Sequence, residues 1–178
     1  AGRSLATLLD EYAGRRDVVV LALPRGGVPV GFEVARELGA PLDVLVVRKL
    51  GFPDHPELAM GAVASGGASV LNEDLVRRSR ISDEEVSRVA SRELQEIARR
   101  ELLYRGVQPV LDLRDQTVVL VDDELATGAT MRVAVVALRG RDPARVVVAV
   151  PVGDDATCEE MRDVADDVVC GLTPSPLR

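Results

Sequence analysis

Val18 to Leu23, Thr117 to Val121 and Arg145 to Val150 are almost unbroken aliphatic runs, and each is followed by a turn and then by apolar residues at helical spacing. A strand with no polar side must be covered on both faces, the situation of strands inside a parallel sheet flanked by helices. Leu42 to Val47 is a further run of this kind. The helices carry their own punctuation. Pro29 suits a first turn, Val30, Val34 and Leu38 share one face, and Gly39 supplies a left-handed stop, while Met131 to Leu138 ends at Gly140. With Ala156 to Ala165 and Val168 to Cys170 closing the series, the repetition predicts an α/β fold, a doubly wound, Rossmann-like parallel sheet with right-handed crossovers. Ligands of such sheets bind beyond the carboxyl ends of the strands. The loops after the aliphatic runs are therefore the places to look for function.

The stretch between the second and third runs does not fit this rhythm. After Arg48-Lys49 come GFPDHPE, then two short apolar segments, Ala62 to Ser65 and Ala68 to Leu71, separated by Gly66-Gly67, a hairpin signal. Ser82 and Glu85 have capping-box spacing, and Val86, Ala90, Leu94 and Ile97 carry a helix to about Tyr104. An inserted β-hairpin and long helix are thus expected over about 52–115. The helix surface reads as solvated Glu-Arg pairs such as Glu96 with Arg100. At the amino end, Ser4 is placed to cap a short helix with Leu5, Leu8, Leu9 and Tyr12.

Composition narrows the function classes. Hydrophobic residues make up 47% but aromatics only 2% of the 178 residues, so one core built of Val, Leu, Ile and Ala is expected. A formal charge of -7 opposes a general nucleic-acid binder, since such binding rests on excess Lys and Arg. Any anion site must be local. No apolar run approaches the roughly 20 residues that span a bilayer, and a cytoplasmic protein is expected. Cys158 and Cys170 are read as reduced packing residues. Ala1 in place of Met and the Pro-rich 173–178 suggest a domain over 1–172 with a linker tail, fused to something further.

The most informative loop follows the third aliphatic run. Val121 to Thr130, VDDELATGAT, places two carboxylates at a strand end and a Thr-Gly-Ala-Thr turn at a helix start. Unpaired amides and the positive end of the helix dipole at that start would hold a phosphate, with the hydroxyls of Thr127 and Thr130, and Gly128 permits close approach. Asp122 and Asp123 would accept hydrogen bonds from a cis-diol or orient water on a divalent cation. The segment lacks the Lys of a GxxxxGK[ST] loop, and Gly26, Gly27 and Gly31 do not form GxGxxG.

The segment VVLVDDELATGATM, Val118 to Met131, resembles the phosphoribosyl pyrophosphate motif of type I phosphoribosyltransferases, adenine phosphoribosyltransferases coming nearest in motif. LPRGGVPVGFEVARELG at Leu23 to Gly39 and VVRKLG at Val46 to Gly51 match in the same order, so the likeness runs from about Val18 to Val150. The resemblance implies the type I phosphoribosyltransferase fold and a place in nucleotide metabolism. It implies binding of 5-phosphoribosyl 1-pyrophosphate, and transfer of its phosphoribosyl group to a nitrogenous base with release of pyrophosphate. Arg25, Gly26 and Gly27 would form the pyrophosphate loop. Arg25, Arg48 and Lys49 would clamp the leaving group, Ala126, Thr127, Gly128, Ala129 and Thr130 would hold the 5'-phosphate, and Asp122 and Asp123 would grip the ribose diol. Mg²⁺ would arrive with the donor and touch Asp122 and Asp123 through water or ribose. The partners are then the donor and a nucleobase-like acceptor, with a homodimer a further expectation.

Two departures from the family pattern bear on catalysis. Glu124 stands where an apolar or small residue is usual, either facing solvent or acting as a base, and Ala126 stands where some purine-using relatives have Asp. Catalytic roles are expected of Arg25, Lys49 and Glu124. Asp54, His55 and Glu57, in the loop that corresponds in place to the mobile catalytic loop, are further candidates for proton transfer. Only Tyr12, Phe32, Phe52 and Tyr104 are available to stack on a base, and an incomplete hood is expected. The alternative is a non-catalytic module that senses the donor.

Overall fold

In a computed structural model that describes residues 1–174, the chain runs α1 (Gly2–Thr7), β1 (Val18–Ala22), α2 (Gly27–Leu38), β2 (Leu42–Val44), β3 (Val47–Gly51), β4 (Ala59–Ala64) and β5 (Ser69–Leu71). It continues with α3 (Glu73–Arg78), α4 (Asp83–Arg105), β6 (Thr117–Val121), α5 (Ala129–Arg139), β7 (Arg145–Val152), α6 (Asp155–Met161) and β8 (Asp167–Leu172). The aliphatic runs become a five-stranded parallel sheet in the order β2-β1-β6-β7-β8. Every residue of β1 and β6 is buried, as their lack of a polar face requires. One face is covered by α1 and α2, through Leu5, Val30 and Val34, with Leu9 from the turn after α1. The other is covered by α5 and α6, through Met131, Ala134, Leu138, Cys158 and Met161. The doubly wound α/β fold is therefore present.

The run Leu42 to Val47 is not one strand. It leaves the parallel sheet at Val44, and from Val47 it pairs antiparallel with β4 in a second sheet, β3-β4-β5. Leu45 and Val46 are both buried, but in different cores, one under α5 and one under α4. Two cores served by consecutive residues look in sequence like one hydrophobic strand. The Gly66-Gly67 turn closes the hairpin with both residues at positive φ, 88° and 86°, where glycine alone is unstrained.

The capping box at α4 forms as its spacing predicts. Ser82 N donates to Glu85 Oε2 at 2.9 Å and Glu85 N to Ser82 Oγ at 3.2 Å. Val89 and Ile97 seat the helix on the second sheet, and Glu96 pairs with Arg99 and Arg100 on the outer side. The short α3 escapes sequence reading because it buries none of its residues and so has no apolar period. At the amino end, Ala1 rather than Ser4 is the cap residue, and Ser4 lies inside α1. The linker expected over 173–178 lies, beyond Pro174, outside the described residues.

Cys158 and Cys170 do not stand apart as reduced packing residues: a disulfide joins α6 to β8. The spacing of 12 residues carries no disulfide signature, because the pairing is set by the register of β8 beside β7. Closing a loop of that length restricts the unfolded chain by about 3 kcal/mol. Cys170→Ser is expected to lower the thermal midpoint in non-reducing buffer and to be indifferent to added thiol. The wild type should shift down to meet it under reductant.

Candidate functional site

The strand order turns back on itself between β1 and β6, since β1 is followed outward by β2 and β6 by β7 and β8. Such a switch point opens a crevice at the carboxyl ends, because the helices after the two strands go to opposite faces. Here α2 follows β1 and α5 follows β6, on opposite faces of the sheet. Both helices begin at glycine, Gly26 and Gly128 being the cap residues, and neither cap carries a side-chain hydrogen bond. Two positive dipole ends therefore meet the crevice. The amides differ: at α2 Gly27 N and Val28 N already donate to the carbonyls of Leu23 and Arg25 at 3.1 and 3.2 Å and Pro29 has no N-H, whereas the first amides of α5 lack a side-chain cap. Gly128 has φ 70°, which allows the turn into α5. The Pro24-Arg25 peptide bond in front of α2 is cis.

The two loops touch. A Cβ built on Gly26 would run into the Asp123 carboxylate, and one on Gly27 would lie 2.8 Å from Val121 O and 2.9 Å from Asp122 Cα. The loop from Asp122 to Met131 wraps a cavity of about 220 Å³. Asp122 is half-buried, and its Oδ1 accepts from Asp123 N at 2.9 Å. Burial first, and then the neighbouring Asp123 and Glu124, push the Asp122 carboxyl up to about 7. A carboxyl with a raised folded-state pKa takes up a proton on folding. Its stabilising contribution is complete below its unfolded value and disappears as pH rises through about 7. Asp122→Asn is therefore expected to flatten the fall in thermal midpoint between about pH 5 and about pH 8, and to exceed wild type at the alkaline end. Parallel curves for the two proteins would contradict the shift.

The three expected cations do not converge. Arg25 sits exposed at the lip of the crevice, without an ion pair among the described residues. Strand alternation separates the other two, because β3 turns successive side chains to opposite faces. Lys49 faces α5 and lines a cavity of about 420 Å³ with Ala129, Thr130 and Arg132. Arg48 faces α4, where Glu93, itself buried, accepts from Arg48 Nε at 2.8 Å and Nη2 at 2.7 Å. The placement of Arg48 in a leaving-group clamp is thus corrected to a structural ion pair. The sequence shows adjacent cations; the pleat makes them strangers.

Ala126, Thr127, Ala129 and Thr130 are exposed along the cavity wall, and Glu124 is exposed at its edge. His55 Nδ1 lies 3.3 Å from Glu57 Oε1 in an exposed loop. Among the described residues no group of three or more His, Cys, Asp or Glu is placed to hold a metal. Asp122 and Asp123 offer carboxylate oxygens that suit a hydrated Mg²⁺ brought by a polyphosphate. Sequence reading missed the support behind the loop: Leu125 bridges to Gly153, and Thr157 Oγ1 donates to Ala126 O at 2.8 Å. It also missed a third, larger cavity of about 670 Å³, bordered by Asp123 and walled by Leu5, Leu8, Val152 and Leu172. These contributors come from opposite ends of the chain, so no local pattern announces them. Among the described residues no helix is long and apolar enough to cross a membrane.

The family model for the phosphoribosyl transferase domain matches residues 1–174. A Mycobacterium tuberculosis protein named "Putative phosphoribosyl transferase Rv0571c" is 47% identical over 175 residues, covering 98% of this chain and 39% of that protein. The chain thus spans about two fifths of the length of the curated relatives it matches. The crystal structure of TT1426 from Thermus thermophilus superposes with a TM-score of 0.81 at 42% identity, over 99% of this chain and 83% of that one. Adenine phosphoribosyl transferase from Trypanosoma brucei, solved with AMP, pyrophosphate and ribose-5-phosphate, shares the fold at a TM-score of 0.56 and 15% identity, over 99% and 66% of the two chains.

Proposed function

Because this chain belongs to the phosphoribosyl transferase domain family, we propose that its crevice binds 5-phosphoribosyl 1-pyrophosphate and that it transfers the phosphoribosyl group to a nitrogenous base, releasing pyrophosphate. One observation supports the reading: Gly26 and Gly27 pack directly against Asp122 and Asp123, so the proposed leaving-group loop and ribose grip would lie side by side. The 5'-phosphate would lie in the cavity at the start of α5, on the amides after Gly128 and the hydroxyls of Thr127 and Thr130. The ribose hydroxyls would donate to Asp122 and Asp123. The pyrophosphate would meet Arg25 and the start of α2, which has no side-chain cap.

In this geometry a ring nitrogen of the acceptor attacks the anomeric carbon while the bond to pyrophosphate breaks. The protein's share is to position and neutralise. Mg²⁺ brought with the donor, touched by Asp122 and Asp123 through water or ribose, would neutralise the departing pyrophosphate. The acceptor fits the cavity between α1 and the ends of β7 and β8, because Asp123 borders both that cavity and the phosphate cavity. Its aliphatic walls favour contact with a flat apolar face. Glu124, exposed beside Asp123, is the base proposed to take the acceptor's proton.

The test is pyrophosphate release in the presence of donor, Mg²⁺ and a panel of purine, pyrimidine and other nitrogenous bases. Release that depends on one of the bases supports transfer; saturable donor binding with no release by any base favours the sensing module. In the same assay Arg25→Ala is expected to weaken donor binding about tenfold or more, as loss of a charge-assisted contact does, with the thermal midpoint unchanged. Undiminished affinity would remove Arg25 from the clamp.

A further inference from the structure

An anion-binding turn must present its N-H groups to the ligand and keep its carbonyl oxygens, which repel the ligand, turned away. In the loop after β6 this orientation is imposed from outside the motif. The Ala126 carbonyl accepts the Thr157 hydroxyl at 2.8 Å, the shorter of that hydroxyl's two contacts, Asp154 Oδ2 lying at 3.3 Å. A Cβ on Gly128 would meet Thr157 Cγ2 at 2.9 Å and Met161 Cε at 3.2 Å. Helical side chains lean toward the helix N-terminus, so Thr157, in the first turn of α6, reaches back onto the loop. Asp154 ties down the same corner: its N donates to Leu125 O at 2.9 Å, and its carboxylate accepts from Thr157 N at 3.2 Å. The Cys158-Cys170 disulfide fastens α6 to β8 one residue further on.

We propose that Thr157 is a positioning residue for the loop that receives the 5'-phosphate. Its hydroxyl holds the Ala126 carbonyl away from the cavity, and its methyl backs Gly128, so that the amides that follow face inward. The proposal rests on the phosphoribosyl-binding reading of this site. It adds a residue well outside the motif, 31 positions after the Ala126 it holds. Thr157 touches the loop and not the reacting atoms, so its effect belongs at one end of the donor only.

Thr157→Val keeps the methyl and removes the hydroxyl, whereas Thr157→Ser does the reverse. Calorimetric titration with ribose 5-phosphate, inorganic pyrophosphate and the full donor separates the two ends of the site. Thr157→Val is expected to weaken ribose 5-phosphate and donor about five- to tenfold, the effect of one lost hydrogen bond. Pyrophosphate binding should stay at the wild-type value. Thr157→Ser should restore affinity to within about twofold on the same scale. Equal loss for all three ligands, or no loss for any, overturns the proposal, the first pointing to a general structural role. Hydrogen exchange at the amides of residues 126–130 in the ligand-free protein needs no donor. Faster exchange in Thr157→Val than in Thr157→Ser supports the role, and identical exchange overturns it. A wild type that binds neither phosphate compound would count against the transferase reading, and exchange would still decide for or against Thr157.

Discussion

Replacing Asp122 and Asp123 together with asparagine is expected to weaken binding of 5-phosphoribosyl 1-pyrophosphate at least a hundredfold. On the proposed reading each carboxylate accepts from a ribose hydroxyl, and hydrogen bonds to charged groups contribute roughly 1.5–3 kcal/mol apiece. Two such losses correspond to a factor of about one hundred or more in dissociation constant. Asparagine keeps the shape and one acceptor oxygen, so the change isolates the charge. The fold should survive, because Asp122 is held partly protonated by burial and by Asp123 and Glu124, and removing its charge relieves that penalty. Calorimetry gives the affinity and a thermal melt the control. An unchanged dissociation constant in a folded double variant would take the acidic pair out of the site.

The adjacent glycines should respond differently to the same substitution. At Gly27 an added methyl would press on the carbonyl of Val121, the buried last residue of β6, and on Cα of Asp122 just after it, both main-chain atoms. Backbone cannot swing aside, and overpacking of that kind costs about 1–3 kcal/mol. Gly27→Ala should therefore lower the denaturant midpoint together with donor affinity. At Gly26 the obstructing group is the carboxylate of Asp123, the end of a side chain that can rotate away. Gly26→Ala should leave stability nearly intact while donor affinity falls steeply, because Asp123 is displaced from the ribose. Equal stability losses at the two positions would mean that the loops pack otherwise than described.

Most of the sheet was legible because β1, β6 and β7 are buried on both faces, and aliphatic runs report that condition without needing partners. The loop proposed to hold phosphate stood out in the sequence because its residues, Asp122 to Thr130, are contiguous, and they line one cavity. What stayed hidden depends on register or on distant segments. Arg48 and Lys49 are neighbours in sequence but occupy opposite faces of β3. The break between Val44 and Val47 is invisible because two cores each claim one residue. The disulfide and the support from Thr157 follow from where β8 and α6 lie beside β7. The larger cavity needs α1 beside the ends of β7 and β8.

On the proposed reading two helix starts without side-chain caps, at Gly26-Gly27 and at Gly128 to Thr130, receive the two phosphate-bearing ends of one donor. Amide resonances followed during titration of the ¹⁵N-labelled protein with 5-phosphoribosyl 1-pyrophosphate and Mg²⁺ test it directly. Saturating shifts at both glycine turns with a single dissociation constant are predicted, and both should disappear in the Asp122→Asn, Asp123→Asn double variant. Shifts confined to one turn, or centred on the groove beside Lys49 with Gly26 and Gly128 unmoved, would contradict the account.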